Sequence, residues 1–275
     1  MKIAIIGTGI SGLTCAYLLN RQHDITVFEA GDSIGGHTAT VDIEMADGER
    51  HAIDTGFIVY NEWTYPNFIR LLAKLGITGQ KTEMSFSVHD DRSGLEYGGN
   101  NLNTLFTQRI NLLRPGFLRM VRDILRFNKA SIADLEAGHL PTDTTLGHYL
   151  QANNYSKEFI AHYLVPMGAA IWSASTTVML AFPLLFFVRF LKNHGLLSIS
   201  ERPQWFVIPG GSREYLAPLT KDFSDRIHTS TPVTGITRQS EGVTLTTARG
   251  NEHFDAVIIA SHSDQALAML QDAST

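Results

Sequence analysis

"IIGTGISG", residues 5–12, sets Gly7, Gly9 and Gly12 in GxGxxG spacing where a β-rich run ends and an apolar helical pattern begins. In that spacing the first glycine makes a tight turn, the second lets backbone approach a pyrophosphate, and the third lets helix and strand pack closely. The run before the loop is Lys2–Ile6, a helix is predicted over Leu13–Asn20, and "DITVFEA", residues 24–30, reads as a second strand. Together these make a βαβ unit. Glu29 ends the second strand, where a carboxylate can accept from ribose hydroxyls. The same charge repels a 2′-phosphate, which favours the ADP half of NAD or FAD over NADP.

A second β-rich region lies far along the chain. "QWFVIPGG" (204–211), "TPVTGITRQ" (231–239), "GVTLTTA" (242–248) and "FDAVIIAS" (254–261) all read as strands. After two short strand-like stretches, "MSFSVHD" and "GLEYGG", residues 102–193 read mostly as helix, punctuated at Pro115, Gly138, Pro141, Pro166, Pro183 and Gly195. The expected fold is α/β. Residues 1–80 and 205–275 form a discontinuous Rossmann-like nucleotide-binding domain, three layers about a parallel sheet, and 81–204 form an inserted, mainly helical substrate domain.

The chain of 275 residues carries 22 Lys and Arg against 27 Asp and Glu, a net charge of −5, with no run rich in Lys or Arg. That balance argues against nucleic-acid binding. A single cysteine, Cys15, rules out an internal disulfide and suits a reducing, cytoplasmic setting. The N-terminus does not read as a cleavable signal, because its apolar run is strand-length and breaks into glycines. The most apolar run, "VMLAFPLLFFV" (Val178–Val188), would rise about 16 Å as a helix against a bilayer core of about 30 Å. Burial is its ordinary explanation; a greasy channel or a peripheral membrane contact is the alternative.

The loop "GDSIGGHT", residues 31–38, returns two bare backbone positions, Gly35 and Gly36, to the neighbourhood of the nucleotide, as a cofactor extending past the pyrophosphate would need. On these residues the chain resembles the flavin-containing amine oxidase and phytoene desaturase superfamily of FAD enzymes. Its signature is a GxGxxG unit, a strand ending in Glu, and Gly-Gly-Arg; here His37 stands in the arginine's place. A histidine can still donate there, with a charge that depends on pH. "IDTGFIVYN" (Ile53–Asn61) resembles the family's Asp-x-Gly segment beside the flavin. "ITGQ" after "LLAKLG" follows its helix-then-Leu-Gly pattern, and "VIPGGSREYLAPL" (Val207–Leu219) resembles its Pro-x-Gly-Gly element. The strands around Val233 and "DAVIIAS" are similar to the family's late ones. More narrowly, "AAIWSAS", "HGLL" and "RPQWFVIPGGSREY" look like a bacterial group of amine oxidase-like proteins often encoded beside cyclopropane-fatty-acyl-phospholipid synthase-type enzymes, which suggests an acyl-lipid substrate.

The resemblance implies FAD as cofactor. It assigns cofactor contacts to Gly7, Gly9, Ile10, Ser11, Gly12, Glu29, Ala30, Gly35, Gly36, His37, Thr38, Thr55, Gly56, Phe57, Gly211, Val233 and Ala260, with Val233 acting through its backbone on the adenine side. Asp54 reads either as the holder of a ribityl hydroxyl or as a structural cap. Tyr60, Trp63, Trp172, His194 and Trp205 are candidates to face substrate, although an aromatic in such a place is more often plain core. No catalytic residue is assigned. The resemblance also implies a longer chain, whose C-terminal part would complete the flavin site.

Other chemistries lack support. The eleven histidines form no HxxxH or CxxC-type ligand set, and His89 with "DDR" reads as a hairpin turn. GxSxG is absent, and "GGS" at 210–212 lacks a nucleophile elbow's spacing. The expected function is FAD-dependent removal of a hydride from an apolar small molecule, with acyl-lipid desaturation ahead of amine oxidation. An NAD-dependent dehydrogenase and a non-catalytic FAD-binding subunit are the rivals. The dehydrogenase predicts a second continuous set of parallel strands after Glu29, where a helical insertion stands instead.

Overall fold

The computed structural model describes residues 1–198 and 202–273. The chain forms two compact units, one of Met1–Tyr60, Pro66–Lys81 and Phe206–Thr275, the other of Asn61–Tyr65 and Thr82–Trp205.

The first unit is built on a parallel sheet. Strand β1 (Lys2–Ile6) is almost wholly buried and lies between β2 (Asp24–Phe28) and the late strand Ala256–Ile259; the short strand Ile227–His228 pairs with the other side of β2. Ile5 sits level with Val27 on one side and Ile258 on the other, so the β-branched run near the N-terminus becomes the centre of the sheet. Helix α1 (Ile10–Leu19) crosses between β1 and β2 and buries Gly12, Leu13 and Ala16, of which Gly12 and Ala16 are small enough to let it lie close. It starts three residues earlier than the apolar pattern suggests, since Gly9 can serve as an extended N-cap.

An antiparallel sheet of Val233–Gln239, Gly242–Thr247 and Gly250–Phe254 packs Ile236, Leu245 and Phe254 against Ala4 and Phe28. A separate hairpin joins β3 (Thr40–Glu44) to β4 (Arg50–Asp54), with Thr40 opposite Asp54.

The second unit is mainly helical. The long helix Pro115–Glu136 opens with proline at its first position and turns Phe117, Met120, Phe127 and Ser131 inward. The core also takes Phe159, Leu164, Met179, Leu184, Phe187 and Leu191. Pro166 does not divide the helical region as its position suggests. The helix runs on from Lys157 to Trp172 through a π turn at Ile160–Leu164, a wide turn that absorbs the hydrogen bond proline cannot donate.

The run Val178–Val188 is split between two helices, Thr176–Leu180 and Leu184–Asn193, with Pro183 between them. Met179, Leu184, Phe187 and Val188 are buried, whereas Val178 and Phe186 are exposed. Among the described residues no helix is long and apolar enough to cross a membrane.

Candidate functional site

The glycine loop sits where β1 gives way to α1. Gly7 has φ +99, a conformation that favours glycine, and a methyl there would come within 2.8 Å of the Ala260 carbonyl oxygen. A methyl on Gly12 would come within 1.9 Å of the Gly7 carbonyl oxygen, so this third glycine brings helix and strand together. Gly9 differs from both: it is extended at φ −65, and nothing lies within 4 Å of where its methyl would be. Helix α1 begins beside that open face with no side-chain cap and no acidic residue in its first turn. Its first-turn residues Ile10 and Ser11 are exposed. An uncapped helix start with free space at its mouth is a ready receptor for a pyrophosphate.

Glu29 leaves the end of β2 and turns its carboxylate towards the loop. It accepts from the Thr8 backbone N–H at 2.9 Å, from the Thr8 hydroxyl, and from the Gly31 N–H at 2.8 Å. These donors fix the rotamer, and the half-buried carboxylate keeps one further lone pair for a ribose hydroxyl. Ala30 beside it is exposed.

The Gly35-Gly36 pair closes on the same loop. Gly35 donates to the Thr8 carbonyl at 3.0 Å, and Gly36, at φ +57, lies so close that a methyl on it would stand 3.1 Å from the Gly9 Cα. The pair thus brings backbone against Gly9 with no side chain to fill the open face. His37 follows and is exposed, its ring stacked on that of His262. His262 lies two residues past Ala260, whose amide donates to the Ile6 carbonyl at 2.8 Å.

Downstream, the chain doubles back. The Thr55 amide donates to the Ala39 carbonyl and the Phe57 amide to the His37 carbonyl, each at 2.8 Å; a side chain on Gly56 would strike that same His37 oxygen. Asp54 acts as a structural anchor. It accepts from the Ser212 N–H at 2.8 Å, the Ser212 hydroxyl at 2.9 Å and the Thr40 hydroxyl at 2.6 Å. It thereby ties β4 to the turn Ser212–Tyr215, which Gly211 enters at φ +94. Ser212 is a donor here, and among the described residues no histidine bonds its hydroxyl. Arg213 grips Asp42 with a two-pronged bridge of 2.6 and 2.7 Å, which holds that carboxyl below the usual carboxylate range. The buried Thr38 hydroxyl bonds the Tyr215 hydroxyl, and burial raises the Tyr215 phenol. Val233 opens the first strand of the antiparallel sheet, and its side chain is buried in the core.

The substrate-facing candidates are divided between the two units. In the first unit Tyr60 is buried and stacks on Phe206 at 5.5 Å; Phe57 meets Phe68 edge-on at 5.3 Å. In the helical unit Trp63 lies near Gly195 and is half exposed. His194 stacks on Phe190 at 4.0 Å, bonds its carbonyl through Nδ1, and faces the buried Trp205 ring at 6.3 Å. Trp172 is enclosed by Phe182, Phe186, Phe187 and Phe190, so it reads as part of an aromatic core. His89 pairs with Glu96 and Asp91, which raise its pKa, on an exposed hairpin. Among the described residues no group of three or more His, Cys, Asp or Glu could hold a metal ion.

Sequence reasoning missed Thr8, Thr40, Ser212, Arg213 and His262. Only Thr8, inside the glycine loop, carried a local signal.

The family described as flavin containing amine oxidoreductase matches residues 10–273. AofH of Mycobacterium tuberculosis, named as a flavin-containing monoamine oxidase, is 24% identical over 94% of this chain and 56% of its own length. A 15-cis-phytoene desaturase of Synechococcus elongatus is 37% identical over 78 residues, 28% of this chain and 15% of its own. Among solved structures, cyclohexylamine oxidase from Brevibacterium oxydans overlays all of this chain on 61% of its own with a TM-score of 0.77 at 21% identity. The chain thus spans a little over half the length of the relatives it matches along its whole extent.

Proposed function

Because the chain belongs to the flavin-containing amine oxidoreductase family, whose fold implies FAD as cofactor, we propose that it is the FAD-holding portion of an oxidoreductase acting on an apolar small molecule. The observation that carries this reading is the open Gly9 face at an uncapped helix start, with Gly36 laid against it. The residues present fit the group. The start of α1 and the bare backbone of Gly9 and Gly36 would receive the pyrophosphate, Glu29 a ribose hydroxyl, and the backbone at Val233 the adenine side. Bound FAD supplies a two-electron acceptor able to take a hydride from a C–H bond. The chain's own residues position and shield: Thr8 fixes the Glu29 carboxylate, and Asp54 pins the Ser212 turn to the β3–β4 hairpin.

The preferred substrate is an acyl lipid undergoing desaturation, because the run Val178–Val188 of the helical unit is so apolar and leaves Val178 and Phe186 exposed. Amine oxidation is the second reading, favoured by the names of AofH and cyclohexylamine oxidase. The single cysteine suits a cytoplasmic, reducing setting.

The test is to purify the protein, record its visible absorbance, and titrate apoprotein with FAD and with NAD. Flavin bands or FAD uptake support the reading; a colourless protein that binds NAD alone overturns it. Anaerobic bleaching by acyl lipids as against primary amines then decides between the substrates.

A further inference from the structure

The stretch Leu102–Lys129 holds six of the chain's 22 Lys and Arg but only one of its 27 Asp and Glu, in a protein whose net charge is −5. That one acid, Asp123, is buried, accepts from the Ser156 N–H at 2.8 Å and faces the core. The cations are exposed, though Arg126 turns its guanidinium back onto Asp123 at 3.2 Å. On the long helix Pro115–Glu136, Leu118, Arg122, Leu125 and Lys129 recur at spacings of three and four, so they form one stripe opposite the buried Phe117, Met120 and Phe127. All four are exposed.

The 3₁₀ turn Arg109–Leu113 leads into this helix and adds Leu112 and Leu113, the latter 78% exposed, with Arg114 beside them. Two of these arginines spend donors on neutral groups: Arg109 on the Asn103 side chain at 2.6 Å and Arg114 on that of Asn111 at 3.1 Å. Arg122 is 74% exposed at the side chain and stands 4.0 Å from the buried Asp123; Arg119 pairs with Glu158.

We propose that this face, the Arg109–Leu113 turn with the outer stripe of the long helix, docks the protein on an anionic lipid surface, the leucines entering the headgroup boundary and the cations lying among the phosphates. Exposed leucines alternating with cations are what an interfacial helix presents to such a bilayer. Charge decides among occupants. A second copy meeting this patch across a two-fold axis would set arginine against arginine, and a nucleic acid would leave the leucines uncovered. The proposal stands apart from the reading of the cofactor site.

The full chain is sedimented with vesicles of phosphatidylglycerol and phosphatidylcholine, and with vesicles of phosphatidylcholine alone. Binding is expected to the anionic vesicles only. It should weaken as salt rises from about 0.1 M to about 1 M, which shortens the screening length from about 10 Å to about 3 Å. Each cation is expected to contribute roughly fivefold, so Arg114→Glu/Arg122→Glu should weaken binding by well over tenfold. Leu112→Ser/Leu113→Ser should weaken it about tenfold or more, whereas Leu18→Ser, an equally exposed leucine of the other unit, should not. Unchanged circular dichroism establishes that each variant is folded, and the two double variants share no residue. The proposal is overturned if wild type does not pellet, if it binds neutral vesicles equally, or if both double variants bind as wild type. It is also overturned if gel filtration shows a dimer that Leu112→Ser/Leu113→Ser dissociates.

Discussion

His37 and His262 stack ring on ring, their centroids 5.7 Å apart and their planes inclined by 8°. One follows the glycine pair that packs on Gly9, and the other follows Ala260, whose carbonyl packs on Gly7. Two remote parts of the sequence therefore deliver two imidazoles to the margins of one glycine loop. If they stand over the pyrophosphate where the family carries a single arginine, His37→Arg should tighten FAD binding. A charge-assisted hydrogen bond exceeds a neutral one by about 1 kcal/mol, or about fivefold in Kd. His262→Ala should loosen binding by a similar factor. Quenching of flavin fluorescence during titration of apoprotein reads both without turnover. Two silent substitutions would mean that the rings merely face solvent.

Gly9 and Gly12 separate binding from folding. Gly9→Ala adds a methyl where no atom lies within 4 Å, on backbone that any residue adopts. Its melting temperature should match wild type while FAD affinity falls about tenfold or more, since the methyl occupies the face a phosphate would approach. Gly12→Ala drives a methyl to 1.9 Å from the Gly7 oxygen and 3.3 Å from the Ala260 Cβ. Overpacking of that kind costs about 1–3 kcal/mol and lowers the melting temperature. The reverse pattern, a destabilised Gly9→Ala with normal FAD affinity, would remove Gly9 from the binding face.

The βαβ unit was legible because its determinants are local: glycine backbone freedom, a β-branched run and an acid at a strand end all lie within residues 2–29. Relationships made across the chain were not. Asp54 reads as cap or ligand from its neighbours alone, and the Ser212 N–H that donates to it lies 158 positions away. The strand Gly250–Phe254, "GNEHF", has no β-branched residue and becomes a strand through pairing with Gly242–Thr247. The cationic face escaped notice because its arginines are spaced three to five apart and never form a run. The sequence offers a membrane contact only at Val178–Val188, as the alternative to burial, and the fold buries much of that run.

Burial of phenols sets an alkaline limit on the helical unit. Tyr97 is 3% exposed and donates to the His162 carbonyl at 2.6 Å; Tyr149 donates to Asp134 at 2.7 Å. Burial pushes both phenols, and that of Tyr163, above their ordinary value. For an acid whose pKa is raised by folding, the folded state favours the neutral form. Stability is then complete below the unfolded value of about 10 and declines as pH rises past it, at about 1.4 kcal/mol per pH unit for a phenol as enclosed as Tyr97. Phenolate absorbance should therefore appear together with loss of helical circular dichroism, in one cooperative step above about pH 10. Tyr97→Phe should cost about 1 kcal/mol at neutral pH, the hydrogen bond lost, and should flatten the alkaline decline. Phenolate signal that grows while the helical signal stays constant would show these tyrosines ionising in the folded protein, against their enclosure in the core.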